Sequence, residues 1–321
     1  IYPQFHKKTK KNKFSKNIKI GFVSSFFKNH SVSKTHINWI LKIKENIYET
    51  YVYYCGKKFD FITNHLKKHV DYFINETEVQ KLINKIVKDD LDILIYLDIG
   101  MNPKIQILSS LRLAPIQCNT WGHPVTSGFK NIDYFLSSEL MENHNSQSHY
   151  TEKLISLPGL GIDYLDINKS KIPKSIVLNQ PDKTFFLNLQ SLYKLHPQDD
   201  HIYIDILKEH PNSYFCFVQG ETNSITSIFK QRIKKLLNKE NISFNEYFYF
   251  HPRCSLDEFL GLIQESEIIL DSVNWSGCNT SLDALSLNKP IVTYPSIFMR
   301  GRHTYAFLKK LNIEETIAKS K

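Results

Sequence analysis

From residue 19 onward the chain alternates two hydrophobic patterns: short continuous apolar runs, and longer stretches with apolar residues three or four apart. Residues 19–24 and 50–55 are rich in β-branched and aromatic side chains and predict strands, with a helix predicted between them at 35–44. Residues 77–88 carry Val79, Leu82, Ile83, Ile86 and Val87 at helical spacing. Residues 93–97 form the unbroken apolar run of a strand buried on both faces. Asn102-Pro103 reads as a cap followed by proline in the first turn, and predicts a helix over 105–113. Short strands are predicted at 116–121, 134–137 and 153–157.

Residues 169–183 are polar, proline-punctuated and without period, which predicts a linker. Beyond them the alternation restarts. Strands are predicted at 184–189, 213–218, 247–250, 267–271 and 290–294, and helices at 198–209, 225–238, 256–265, 279–287 and 302–311. Strands alternating with helices make parallel sheets flanked by helices, so the expected fold is α/β with two Rossmann-like lobes, at 19–168 and 184–321. Each lobe should present ligand-binding loops at the carboxyl ends of its strands. Length agrees, since 321 residues exceed one ordinary core and divide naturally into two domains of roughly 150. No internal repeat with a period of about 30–45 residues is visible, which excludes a solenoid within the chain. Both ends look cut: a basic linker remnant, 1–18, opens the chain, and it stops just inside what reads as a new helix over 314–320.

Charge changes the picture little. Lysine and arginine outnumber acidic residues 41 to 32, for a net +9. Much of the excess lies in Lys7, Lys8, Lys10, Lys11, Lys13, Lys16 and Lys19, a like-charged run that reads as a solvated linker. Neither nucleic acid nor a membrane is therefore expected as a partner. The 5 cysteines are scattered without a CxxC pair, which fits free thiols in a reducing compartment. No apolar run approaches the roughly 20 residues of a membrane span, and no signal-peptide core follows the basic stretch. A cytoplasmic protein is expected.

Candidate chemistry sits where strands end. Residues 268–271 form a buried strand followed by Ser276-Gly277-Cys278-Asn279-Thr280-Ser281-Leu282-Asp283, a glycine loop leading into a helix that begins with small polar residues. Such a helix start offers unpaired N–H groups and a positive dipole end to a phosphate. Gly277 allows close approach, the Thr280 and Ser281 hydroxyls can donate, and Asp283, one turn in, can reach a ribose hydroxyl. The same residues also fit an ordinary helix capped by Asn279 or Thr280. Lys194, in the loop after the first strand of the second half, can stabilise a departing pyrophosphate, although in a chain so rich in lysine it also fits a plain surface residue. His30 and His123 lie in loops after two strands of the first half, as candidate acid–base or hydrogen-bonding groups. Asp90-Leu91-Asp92 matches a metal-binding DxD in form but precedes its strand, and reads as solvated. No GxxxxGK[ST] loop or GxSxG elbow is present, and Gly159-Leu160-Gly161 lacks the third glycine of a dinucleotide fingerprint.

Taken in order, Ile20-Gly21-Phe22-Val23-Ser24-Ser25 with Asn29-His30, Leu113-Ala114-Pro115-Ile116-Gln117, Gly122-His123-Pro124 with Thr126-Ser127-Gly128, Ile132-Asp133-Tyr134, Leu192-Tyr193-Lys194, Gly277 with Asn279-Thr280 and Asp283, Pro290-Ile291-Val292-Thr293, and Gly301-Arg302-His303 resemble the catalytic region of the protein O-GlcNAc transferase family, SPINDLY-like proteins included. The resemblance implies a GT-B architecture and an inverting, metal-independent transfer of a sugar, GlcNAc by the family, from a UDP donor to Ser or Thr of a protein or peptide. The UDP-sugar is a donor substrate; no cofactor is implied. By the same resemblance, Lys194 contacts the UDP phosphates, Gly277, Cys278, Asn279 and Thr280 cradle them, and Asp283 holds the ribose. Pro252 and Cys254 lie along the uracil and Arg302 lines the donor site, while His30 matches a histidine proposed as the base. Tetratricopeptide repeats often precede this region in the family and are expected in a full-length chain.

Departures from the animal pattern bear on the substrate. Cys278 and Phe259 replace histidines, Ser191 replaces a glutamine and His123 replaces a tyrosine. These resemble bacterial members, some of which transfer glucose to asparagine. A UDP-glucose-dependent asparagine glucosyltransferase is thus the alternative within the class, and a non-catalytic UDP-sugar-binding module the alternative outside it.

Overall fold

The structure is a computed structural model and describes residues 17–43, 47–164 and 182–320, together with Lys174 and Gln180. The chain divides into two compact units, Ile1–Ile167 and Asn168–Lys321. The expected linker at 169–183 and the basic stretch at 1–18 fall almost wholly outside the described residues.

The first unit runs β1 (Ile18–Ser24), α1 (Ser31–Leu41), β2 (Tyr48–Tyr54), α2 (Phe61–His69), β3 (Tyr72–Asn75), α3 (Val79–Asp89), β4 (Ile93–Tyr96), α4 (Pro103–Ser109), β5 (Ile116–Thr120), β6 (Tyr134–Ser138) and β7 (Lys153–Leu157). Its described strands form one parallel sheet in the order β3-β2-β1-β4-β5-β6-β7. Side chains alternate across the pleat. Val23, Tyr51 and Tyr53 face α3 and α4 through Leu82, Ile86 and Ile105. Phe22, Val52 and Tyr54 face α1 and α2 through Ile37, Ile40 and Leu66. Asn102 caps α4 by accepting the Lys104 amide at 2.9 Å, with proline in the first turn, as expected from the dipeptide.

The second unit runs β8 (Thr184–Asn188), α5 (His201–Glu209), β9 (Ser213–Val218), α6 (Asn223–Lys239), α7 (Phe244–Tyr247), β10 (Phe248–His251), α8 (Leu256–Glu265), β11 (Ile268–Leu270), α9 (Asn279–Ser286), β12 (Ile291–Val292) and α10 (His303–Leu311). Its sheet is also parallel, in the order β10-β9-β8-β11-β12. Phe186, Phe215, Phe217 and Phe248 pack on one face against Tyr203, Phe229 and Ile233 of α5 and α6. Phe185, Leu187 and Cys216 pack on the other against Leu260, Ile263 and Ala284 of α8 and α9.

Three expectations are corrected. Helix α2 and edge strand β3 stand where no element was expected, because α2 buries only Ile62, Thr63 and Leu66 and β3 is four residues long, too little pattern to stand out in the sequence. Residues 314–320 are not helical; Ile317 instead makes an isolated parallel bridge to Thr293, just past β12. Asp92 is not solvated. It is fully buried, and its carboxylate accepts the Lys19 amide at 2.9 Å, tying β4 to the start of β1.

Candidate functional site

In an open parallel sheet, loops diverge where the strand order reverses, and the gap between them receives ligands. In the second unit that point lies between β8 and β11. The loop leaving β8 carries Lys194 and the loop leaving β11 carries Gly277, so the topology brings these two together.

Lys194 ends a 3₁₀ turn, Leu192–Lys194. It is not a free surface lysine. It is half-buried, with its ammonium 5.3 Å from the centre of the Trp275 ring, and desolvation lowers its pKa while the neighbouring Cys278 acts to raise it. Its turn is pinned from behind by Arg232, which donates to the Leu195 carbonyl and to the Asp200 carboxylate, each at 3.0 Å. Asn274, just before Trp275, donates to Asp199 at 2.7 Å and links the two loops directly.

The second loop hangs on Asp271. Its carboxylate accepts hydrogen bonds from Ser276 Oγ at 2.6 Å, the Gly277 amide at 2.7 Å, Thr293 Oγ1 at 2.8 Å and the Ser272 amide at 2.9 Å. Burial raises the pKa of Asp271 and these bonds oppose the rise. Thr304 of α10 completes the bracket by bonding Ser276 Oγ at 2.9 Å and Ser281 Oγ at 2.8 Å. The consequence is specific. The Gly277 amide and the Ser281 hydroxyl are taken up inside the protein, and neither is aimed at a ligand. A Cβ at position 277 would overlap Ser281 Oγ and Thr280 Oγ1, so glycine is required for packing here.

The part of this loop left as a candidate ligand site is the first turn of α9. The N-cap is Cys278, not Asn279 or Thr280, and it makes no side-chain capping bond. The first-turn amides of Asn279, Thr280 and Ser281 have no partner within the helix. Thr280 Oγ1 and Asn279 Oδ1 are also buried without a hydrogen-bond partner. Asp283 is buried one turn further on. Pro252 and Cys254 leave β10 at the same edge of the sheet. The Pro252 carbonyl lies 2.7 Å from His251 Nδ1, and burial, with the Glu258 charge, raises the Cys254 thiol pKa. Arg302 donates to the Ser296 carbonyl at 3.1 Å and lies 4.6 Å from the Tyr305 ring centre, so part of its guanidinium holds the 296–301 turn.

A cavity of about 120 Å³ opens beside Lys194, lined by Tyr203, Leu270, Val292, Asp199 and Asp271 among others. It includes neither Gly277 nor Asp283. Lys194 lines it as well, set among Asp199, Asp200 and Asp271, and these carboxylates make the helix start of α9 the better anion site.

In the first unit the strand order reverses between β1 and β4. His30, in the loop leaving β1, is the N-cap of α1: its Nδ1 accepts the Val32 amide at 3.3 Å and its ring stacks on Phe26 at 4.0 Å. A nitrogen that accepts from an amide carries no proton, so Nε2 carries it and is the ring's donor. Burial and the Lys28 charge push the His30 pKa down to about 4, which keeps the ring neutral. His123, in the loop leaving β5, packs its ring against Gly100, whose φ of +99° admits no side chain at ease. Asp98, two residues past β4, accepts the Ser25 amide at 3.2 Å, and burial raises its pKa to about 7. Sequence reasoning did not single out Asp98, Thr304 or Arg232, and took Asp271 only as the last residue of its strand. Their roles come from partners far along the chain, and only the position of Asp98 and Asp271 after a buried strand was a signal.

Two Rossmann-like lobes of this kind define the GT-B type of glycosyltransferase fold. The profile of glycosyl transferase family 41 matches residues 2–161 and 170–321, and the chain belongs to that family. It is similar to a probable UDP-N-acetylglucosamine–peptide N-acetylglucosaminyltransferase, SEC, of Arabidopsis thaliana, at 26% identity over 87% of this chain and 29% of the relative. The UDP-glucose:protein N-beta-glucosyltransferase of Actinobacillus pleuropneumoniae is 21% identical over 85% of this chain and 43% of its own length. The chain thus spans less than half of either relative. Among solved structures, the O-GlcNAc transferase of Thermobaculum terrenum superposes with a TM-score of 0.80 at 20% identity, covering 95% of this chain and 58% of that one, a likeness of fold.

Proposed function

We propose that this chain transfers a sugar from a UDP donor to the hydroxyl of Ser or Thr in a protein acceptor, with GlcNAc as the sugar. The observation that carries the reading is the convergence of a half-buried ammonium, Lys194, and an uncapped helix start with an unpartnered Thr280 hydroxyl at the switch point of the second lobe. The acceptor hydroxyl oxygen attacks the anomeric carbon from the face opposite the phosphate, the bond from that carbon to the β-phosphate oxygen breaks, UDP leaves with inversion, and the hydroxyl proton passes to solvent. Negative charge grows on the leaving diphosphate, where Lys194 and the dipole of α9 stabilise it without a metal ion. Asp283 is assigned to the ribose, Pro252 and Cys254 to the base, Gly277 and Cys278 to shaping the loop, and Arg302 to its far wall. His30 and His123 are assigned to the acceptor side, with His30 as a hydrogen-bond donor through Nε2. Family membership and the named activities of the plant relatives support the protein acceptor.

The Actinobacillus relative supports a second reading, in which glucose goes to asparagine. Incubation with UDP-GlcNAc or UDP-glucose and peptides bearing either Ser/Thr or Asn, followed by intact-mass and fragmentation analysis, separates the two. Addition of N-acetylhexosamine to a hydroxyl is the expected result, and added hexose on asparagine replaces the first reading with the second. No transfer together with no UDP binding would sink both.

A further inference from the structure

We propose that His65 and His69, on the outer face of α2, chelate one divalent transition-metal ion of the copper, nickel or zinc class. Residues four apart on a helix lie one above the other on the same face. Both histidines are exposed, and their ring centroids stand 4.2 Å apart with the planes at 41°. The His69 ring is held in one orientation, because its Nδ1 lies 2.8 Å from the carbonyl oxygen of His65. A carbonyl only accepts, so Nδ1 carries the ring proton and Nε2 presents its lone pair outward. This backbone bond to the non-ligating nitrogen is the arrangement that orients and strengthens a histidine ligand.

The scaffold beneath is rigid. Asp60 and Thr63 form a capping box at the start of α2, and Ile62, Thr63 and Leu66 are buried against the sheet. A pair of imidazoles suits copper, nickel and zinc and not magnesium or calcium, which take oxygen ligands. Among the described residues no third His, Cys, Asp or Glu joins the pair, so water or a group from another molecule completes the coordination sphere. The adjacent Lys67 and Lys68 weaken the site through like charge but leave the two rings exposed. The site shares no residue with the donor loops and does not depend on the proposed transfer reaction.

Calorimetric titration of the protein with nickel or zinc chloride tests the proposal, using His65→Ala, His69→Ala, the double variant, and His210→Ala as a control at an exposed histidine. One site per chain is expected. Either single variant should weaken it by roughly tenfold or more, because the remaining imidazole loses its chelating partner, and His210→Ala should leave it unchanged. The melting temperature should rise with metal concentration in the wild type and in His210→Ala but not in the double variant. All variants are checked for unchanged circular dichroism, which two exposed positions should allow. Wild-type affinity no tighter than that of the folded double variant would overturn the proposal.

Discussion

Asp271 accepts the backbone N–H of Gly277 at 2.7 Å, and this bond decides which atoms of the loop can meet a ligand. With that amide turned inward, a phosphate approaching α9 would meet the first-turn amides instead. The carboxylate is thus a scaffold for the anion site and not part of its surface. Loss of Asp271 should therefore act on stability and on binding together.

Asp271→Ala leaves two hydroxyls and two amides without their acceptor, and should destabilise the second lobe by about 3–5 kcal/mol. Asp271→Asn keeps one acceptor oxygen but sets an NH₂ group against donors, and should cost about half as much. Urea denaturation followed by fluorescence reads both values. An alanine variant within 1 kcal/mol of wild type, taken as about one ordinary hydrogen bond, would show that the bracket is not what holds the loop.

Gly277→Ala should lower affinity for UDP by roughly tenfold or more while the lobe stays folded. The added methyl would overlap Ser281 Oγ and Thr280 Oγ1, and relief requires the first turn of α9 to shift away from its phosphate-facing position. Calorimetry with UDP and with uridine tests this. Weakened UDP binding with unchanged uridine binding is expected, and equal losses for both ligands would place the damage elsewhere.

Stability should respond to pH in two opposite senses. His30, His36 and His303 have pKa values pushed from 6.5 down to about 4, 3 and 4, with burial as the main cause. Their unfolded forms bind protons that the folded forms refuse, so stability is lost as pH falls from 6.5 toward these values. Asp98 works the other way. Its pKa is raised from 3.8 to about 7, so the folded state holds a proton that the unfolded state releases, and this contribution fades as pH climbs through that window. The three histidines drive the loss of stability on acidification, and Asp98 opposes it together with Asp271, whose pKa burial also raises. Asp98→Asn should raise the melting temperature relative to wild type more at about pH 8 than at about pH 4. The same shift at both values would remove Asp98 from the account.

Most of the fold was legible because the strands are continuous apolar runs and the turn chemistry is local. Asn102-Pro103 announces α4 within four residues. The α2–β3 unit was not legible. Its helix is short, with Ile62 and Leu66 as its buried apolar residues, and β3 is a four-residue edge strand whose Tyr72 is exposed, so neither carries enough pattern to read. At the site, glycine and lysine could be picked out by position, but what they do locally could not. That Gly277 serves packing, that Ser281 is bound to Thr304, and that Arg302 holds the turn near Ser296 are all tertiary facts, set by residues up to 28 positions away for Ser276 and Thr304. Periodicity carries no record of such partners.

Lys194 is the residue whose loss should cost most in rate. As the diphosphate departs, charge accumulates on it, and a fixed ammonium stabilises that state more than the ground state. The ammonium here is fixed by structure: Arg232 clamps the following carbonyl, and the Trp275 ring lies 5.3 Å beneath it. Removing one such preorganised group costs about 3–4 kcal/mol, or roughly 10²–10³ in kcat. Lys194→Ala should show that loss with little change in melting temperature, since the side chain is half-buried at a loop and carries no core packing. Lys194→Arg should rescue poorly, because a planar guanidinium cannot sit as a compact point charge in the same space over the indole. Steady-state kinetics on an identified acceptor, with UDP affinity measured in parallel, reads all three proteins. A Lys194→Ala variant turning over within about threefold of wild type is incompatible with the stabilisation expected of a leaving-group cation. Departure of the diphosphate would then depend on the α9 helix start alone, and the pairing of the β8 and β11 loops would have to be reassigned to substrate binding.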